Sequence, residues 1–155
     1  MEITKKDTFI KQIMIYIKNK DYGNAYLVAK EFNEKYPDDL ISNFLLAKAC
    51  FYLNKYDEAL IAGRKTFALS TGQDIVTAAV LLGSIYFMRH EFVEGYKLLE
   101  SLENNKKIRI NSEIEELLTI FSLALNNPQQ AMRHVDRLYQ LNSRYAEDFI
   151  VRFFE

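Results

Sequence analysis

The sequence predicts an all-α fold of antiparallel helix pairs, and three observations predict it. Gly and Pro are scarce, five and two among 155 residues, which argues against a turn-rich β sandwich and for long helices joined by short turns. Apolar residues recur at helical spacing along most of the chain. A short string of residues also returns four times at a nearly constant interval, the signature of a repeat architecture.

The four strings are Asp21-Tyr22-Gly23-Asn24-Ala25-Tyr26, Lys55-Tyr56-Asp57-Glu58-Ala59-Leu60, Glu91-Phe92-Val93-Glu94-Gly95-Tyr96 and Asn127-Pro128-Gln129-Gln130-Ala131-Met132. Each has a ring or a proline, two mostly polar residues, a small residue and an apolar one. The small residue falls at Ala25, Ala59, Gly95 and Ala131, with spacings of 34, 36 and 36. Before each string lies an apolar stripe of helical period: Phe9, Ile13, Tyr16 and Ile17; then Leu46, Ala47, Cys50 and Leu53; then Leu82, Ile85 and Tyr86; then Ile114, Leu117, Leu118 and Phe121. A second stripe follows each string, so every unit reads as helix, tight turn, helix.

Punctuation marks the boundaries. Pro37 closes the second helix, and Asp38 and Asp39 are candidate caps for the third. Thr71-Gly72-Gln73-Asp74 reads as a break with a capping box. Ser112 and Glu115, three apart before an apolar run, form a better one. Asn142 and Ser143 are placed to cap a ninth helix. The expected organisation is one domain over 1–155, with repeats at about 6–39, 40–73, 76–109 and 112–145 and a terminal helix over 143–155.

These residues resemble the tetratricopeptide repeat, a 34-residue pattern of an aromatic, Leu-Gly, Tyr, Ala, an aromatic, Ala and Pro. Leu82-Gly83-Ser84-Ile85-Tyr86 matches its Leu-Gly-x-x-Tyr element, and the first unit supplies Phe9, Tyr16, Tyr22, Ala25, Ala29 and Pro37. In the second, Ala47, Tyr56 and Ala59 take their places. The fourth departs most, with Thr119 in the small place, Ser122 for Tyr and Pro128 for the turn aromatic. The resemblance implies a right-handed superhelix, an α-solenoid in which stacked units cover one another's apolar faces. It also implies that the first helix of each unit lines a concave groove that holds a protein ligand.

That resemblance places on the groove Ile10, Met14 and Ile17 of the first unit, and Phe44, Lys48, Phe51 and Tyr52 of the second. Val80, Ser84, Phe87 and Met88 follow from the third, and Glu116, Ile120 and Leu123 from the fourth. Most are apolar, and a contiguous exposed apolar surface marks a binding site. The competing reading packs several of them against adjacent helices. Members that grip a peptide carboxylate use Lys, Asn and Arg, where this chain has Ile10, Met14, Leu45, Thr77 and Leu81. An apolar segment, extended or as an amphipathic helix, suits the groove better. In the last helix Tyr145, Phe149, Ile150, Phe153 and Phe154 form an apolar face. Three readings stay open for it: a cap on the fourth unit, an interface through which the chain self-associates as a homodimer, or a surplus that folds back into the groove.

Nothing in the sequence carries chemistry. It has no phosphate loop, dinucleotide fingerprint, nucleophile elbow or EF-hand loop, so an enzyme is not expected, nor a cofactor. His90 and His134 lie in separate units and read as surface or capping residues, a poor metal site. Cys50 reads as a buried, inert thiol, and Glu113, Glu115 and Glu116 as complements to a helix dipole. Lysine and arginine total 20 against 21 aspartates and glutamates, a net charge of −1. That balance, with an apolar groove, argues against the rival reading of an RNA-binding helical repeat. The run Asn104 to Arg109 reads as a solvated loop. Neither a secretory leader nor a bilayer-spanning stretch is apparent, so a cytoplasmic protein is expected, an adaptor or chaperone-like module or else a self-associating structural subunit.

Overall fold

A computed structural model describes residues 4–154. Among them lie nine α-helices and no strand, so the chain is an all-α helical repeat. The residues group into two compact units, one reaching Thr71 and one beginning at Gly72.

The first unit holds α1 (Lys5–Lys18), α2 (Tyr22–Lys35), α3 (Leu40–Tyr52) and α4 (Tyr56–Leu69), each packed on the next in sequence. Its core gathers Ile13, Ala25, Ala29, Phe32, Leu45 and Ala49, with Phe9 stacked on Phe32 at 5.1 Å. Thr4 opens α1 through a reciprocal capping box with Asp7. Asp39 caps α3 by accepting from the Ser42 amide at 3.0 Å. Asp38, the other expected cap, instead pairs with Lys65 at 3.0 Å. Buried Asn43 donates to the carbonyls of Pro37 and Asp39, closing the turn between α2 and α3.

The second unit holds α5 (Asp74–Met88), α6 (Phe92–Glu103), α7 (Ser112–Ala124), α8 (Pro128–Leu141) and α9 (Ser143–Phe154). Successive helices pack together, and α5 also meets α7. Two expected capping boxes are corrected here. Asn111, not Ser112, caps α7, accepting from the Ile114 amide at 3.0 Å. Ser112 is the first helical residue and Glu115 is buried elsewhere. Gln73 precedes α5 without a side-chain cap bond and bridges to the Arg109 backbone, donating to its carbonyl at 3.2 Å and accepting from its amide at 3.0 Å. Asn142 does cap α9, through the Tyr145 amide.

All four helix pairs turn alike. Lys20, Asn54, His90 and Asn126 have φ of 58°, 60°, 61° and 57°, each five residues before the small residue of its repeat. The amide after each reaches back five residues to a helix carbonyl: Asp21 to Tyr16, Lys55 to Cys50, Glu91 to Tyr86 and Asn127 to Ser122. This is the Schellman ending, which satisfies carbonyls the helix would otherwise leave open. Periodicity shows where a helix stops but carries no signal for its left-handed residue when that residue is Lys or His.

The small residues are small because helices meet there. Ala25 and Ala59 are fully buried. At Gly95 an added Cβ would stand 2.2 Å from Cζ of Phe121, a ring that is itself fully buried. Phe121 is wedged edge-on against Phe87 and Phe92, so it has no empty space to move into.

Beside that wedge lies a buried polar network, which overturns the surface reading of His134 and the dipole reading of Glu115. Each is only 2% exposed. His134 Nδ1 lies 2.8 Å from Glu115 and 3.5 Å from Glu103, while Nε2 meets the Tyr96 hydroxyl at 3.2 Å. Arg137 donates to the other Glu103 oxygen. Burial, reinforced by the Glu103 carboxylate and opposed by His134, pushes Glu115 up to about 7. Burial would raise Glu103 too, but the neighbouring Glu115, Arg137 and His134 outweigh it and hold Glu103 below its usual range.

This packing can be tested at two points. Gly95→Ala gains helix propensity but drives a methyl into Phe121, and urea denaturation will show a net loss of about 2 kcal/mol. Glu115 is more basic folded than unfolded, so its proton favours the folded state. That stability is complete below the ordinary glutamate range and is lost as pH rises through about 7, at about 1 kcal/mol per pH unit in between. A stability profile over that range will slope downward in the native chain and flatten in Glu115→Gln.

Candidate functional site

The first unit presents an apolar groove of about 630 Å³ between α1 and α3. Its wall is Ile10, Met14, Ile15, Ile17 and Lys18 from α1, with Ile41, Phe44, Leu45 and Lys48 from α3. The local reason is a division of faces. Ile13 and Leu45 turn into the core, while the residues beside them on each helix have no partner helix to cover them. Met14 and Ile15 are each 57% exposed, a large apolar surface to leave in water. Lys48 lays its amine over the Phe44 ring at 5.7 Å.

Five residues expected on the groove meet here: Ile10, Met14, Ile17, Phe44 and Lys48. Sequence reasoning missed Ile15, Lys18 and Ile41. The signal was available, since Ile15 and Lys18 follow Met14 and Ile17 directly and widen the same face. Phe51 and Tyr52 sit beyond the groove lining at the end of α3, Phe51 edge-on to Tyr56 and Tyr52 stacked on Tyr22 at 4.6 Å.

In the second unit the expected groove residues are less available. Phe87 packs its ring against Phe92 and Phe121 at 5.4 and 5.6 Å. Ser84 donates to the Val80 carbonyl of its own helix. Met88 and Leu123 stay exposed. Glu116 accepts a hydrogen bond from the Tyr145 hydroxyl of α9, and Ile120 packs with Leu138, Ala146 and Phe149. The terminal helix thus covers part of the face that sequence assigned to a ligand.

The same contacts locate the expected oligomer surface. Phe149 is fully buried inside the unit, and Tyr145 and Ile150 pack around it. Phe153 leans on Phe149 at 4.6 Å and remains 48% exposed, beside Val151. The side chain of Phe154 lies outside the described residues.

Groups able to ligate a metal converge once among the described residues, at Glu103, Glu115 and His134, whose donor atoms lie within 4.8 Å of one another. Glu115 pairs with His134 and Arg137 with one Glu103 oxygen, while the other Glu103 oxygen is buried without a hydrogen-bond partner. A divalent cation held there would lie beside the Arg137 guanidinium, which opposes it. Cys50 is fully buried, and burial with help from Glu58 pushes its thiol up to about 12. A thiol so held is not a nucleophile at neutral pH. No helix of the described residues is long and apolar enough to cross a membrane.

Comparison with known proteins agrees with this geometry. Residues 5–66 match the family model of the anaphase-promoting complex, cyclosome, subunit 3. The chain is 28% identical over 138 residues to the TPR repeat-containing protein MJ1428 of Methanocaldococcus jannaschii, an alignment covering 87% of this chain and 23% of that protein. It therefore spans about a quarter of that relative's length. Two solved structures share the fold. The crystal structure of MamA superposes with a TM-score of 0.72 at 15% identity, covering 99% of this chain and 92% of that one. TTC0263, a thermophilic TPR protein of Thermus thermophilus, superposes with a TM-score of 0.75 at 14% identity, covering 96% and 79%. With four helix pairs timed by the same small residue and turn, the chain shares the helical-repeat fold of these proteins and is similar in sequence to a tetratricopeptide repeat protein.

Proposed function

We propose that this protein is an adaptor or chaperone-like module whose α1–α3 groove holds an apolar segment of a partner protein. The tetratricopeptide fold supports a protein-interaction scaffold in general terms. What carries the finer reading is the groove itself, whose wall is apolar except for two lysines and is exposed at Met14, Ile15 and Ile41. A folded chain gains nothing from leaving such a surface in water, and a partner that covers it recovers the hydrophobic free energy. The family model over 5–66, the segment that contains the whole groove, is named for a subunit of a multi-protein complex, which favours the same reading. Tetratricopeptide repeat proteins are generally non-enzymatic scaffolds, and the buried Cys50 thiol gives catalysis no starting point.

A second reading rests on α9, where Val151 and Phe153 stay about half exposed after Phe149 is buried. Here the chain would self-associate through its terminal helix.

One comparison separates the two. Met14→Glu puts a charge on a groove residue outside the core, so thermal melting will be unchanged while capture of a partner from native extract falls at least about tenfold. If sedimentation instead shows a dimer that Met14→Glu leaves intact and Val151→Glu dissociates, the terminal-helix reading replaces the groove.

A further inference from the structure

We infer that the segment taken by the α1–α3 groove carries acidic residues, its carboxylates set against Lys18 and Lys48; this rests on the adaptor reading and narrows its ligand. Seven of the nine lining residues are apolar, the other two are these lysines, and no carboxylate lines the groove. Three of the first unit's other eight lysines find acidic partners, Lys6 with Asp39, Lys35 with Glu31 and Lys65 with Asp38. Among the described residues neither Lys18 nor Lys48 forms an ion pair.

Helix polarity explains only one of them. Lys18 ends α1, where a cation complements the negative end of the dipole. The last turn of α3 contains no basic residue, so Lys48 lies outside the reach of that effect. Its stem crosses the groove wall and its amine rests over Phe44, a placement that keeps a charge at an apolar surface.

Both lysines also sit in the C-terminal halves of their helices. A tight turn makes α2 run against α1, and α3 runs against α2 in its turn, so α1 and α3 point the same way. Lys18 is the last residue of α1 and Lys48 lies in the C-terminal half of α3, whereas Ile10 and Ile41 lie toward the start of their helices. The two lysines therefore interrupt an otherwise apolar wall, with the Lys48 amine lying back over Phe44. A segment that combines apolar side chains with Asp or Glu satisfies both the wall and the lysines. Beside an apolar wall such a pairing is less screened than one in open water, and a basic segment is repelled.

The test is selection from a displayed random dodecapeptide library on the full chain, run in parallel on Lys18→Glu/Lys48→Glu and on Met14→Glu. Both lysines lie outside the core, and circular dichroism will confirm that each variant folds. The expected result is peptides that join apolar residues to Asp or Glu. These will bind the lysine variant at least about tenfold more weakly, and that variant will select Lys- or Arg-bearing peptides instead. Apolar peptides without acidic enrichment, retained by the lysine variant and lost on Met14→Glu, would overturn the acidic ligand and leave the groove standing. Peptides indifferent to Met14→Glu, or no enrichment at all, would overturn both. A dimer in sedimentation that the lysine variant dissociates would make the occupant a second copy of this chain and overturn the partner assignment.

Discussion

Everything in this protein hangs on how closely two helices of a repeat can approach. The small residue at Ala25, Ala59, Gly95 and Ala131 sets that distance, and the left-handed residue five positions earlier sets the turn that delivers the second helix. Neither works alone. A turn without the small residue would bring two helices to a clash, and a small residue without the turn would face nothing. Their fixed separation of five is therefore the physical content of the repeat. The 34- and 36-residue spacings are its echo along the chain. Insertions of two residues are absorbed between repeats, as in the stretch from Asn104 to Asn111, because nothing there has to keep that register.

Close approach has a consequence for solvent. Once α1 and α2 share Ile13, Ala25, Ala29 and Phe32, with Ile10 and Ile17 packed at the margin, Met14 and Ile15 are left exposed. In the first unit α3 supplies the other side of a groove that no described residue of the unit closes. The second unit solves the same problem differently. There α9 folds over the fourth repeat, burying Phe149 and engaging Glu116 and Ile120. One repeat architecture thus yields an apolar face left open in one unit and another covered by the terminal helix in the other.

Much of this was legible in the sequence, and the legible part was local. Helix pairs and the small residue follow from periodicity, because a helix face is defined by residues within a few turns of one another, whereas the groove positions come from the family resemblance. What sequence misread depends on contacts across the fold. Ser112 and Glu115 have capping-box spacing, yet Asn111 takes the cap, since Glu115 is drawn inward by His134, nineteen residues away. His134 read as a surface residue because its partners, Tyr96 and Glu103, belong to another helix pair and no short motif joins them. Phe87 has groove spacing, but it serves as an aromatic wall for Phe121. In each case two placements had equal local merit and a distant side chain decided between them.

The buried network shows why such a decision can be stable. A histidine and two carboxylates in a helix core carry a large desolvation cost unless their charges and hydrogen bonds close on one another. Here they largely close: Arg137 holds one Glu103 oxygen, Glu115 pairs with His134, and Tyr96 meets the remaining ring nitrogen, while the other Glu103 oxygen stays buried without a hydrogen-bond partner. The three helices that contribute, α6, α7 and α8, are thereby tied at fixed register, which apolar contacts alone would enforce less strictly. That register holds Phe121 against Gly95 and aligns α7 to receive α9. Polar closure inside the second unit and apolar exposure in the first are consequences of one constraint. Helices packed as tightly as these settle what they bury by matching chemistry, and what stays outside, as at Met14 and Ile15 in the α1–α3 groove, is left to solvent among the described residues.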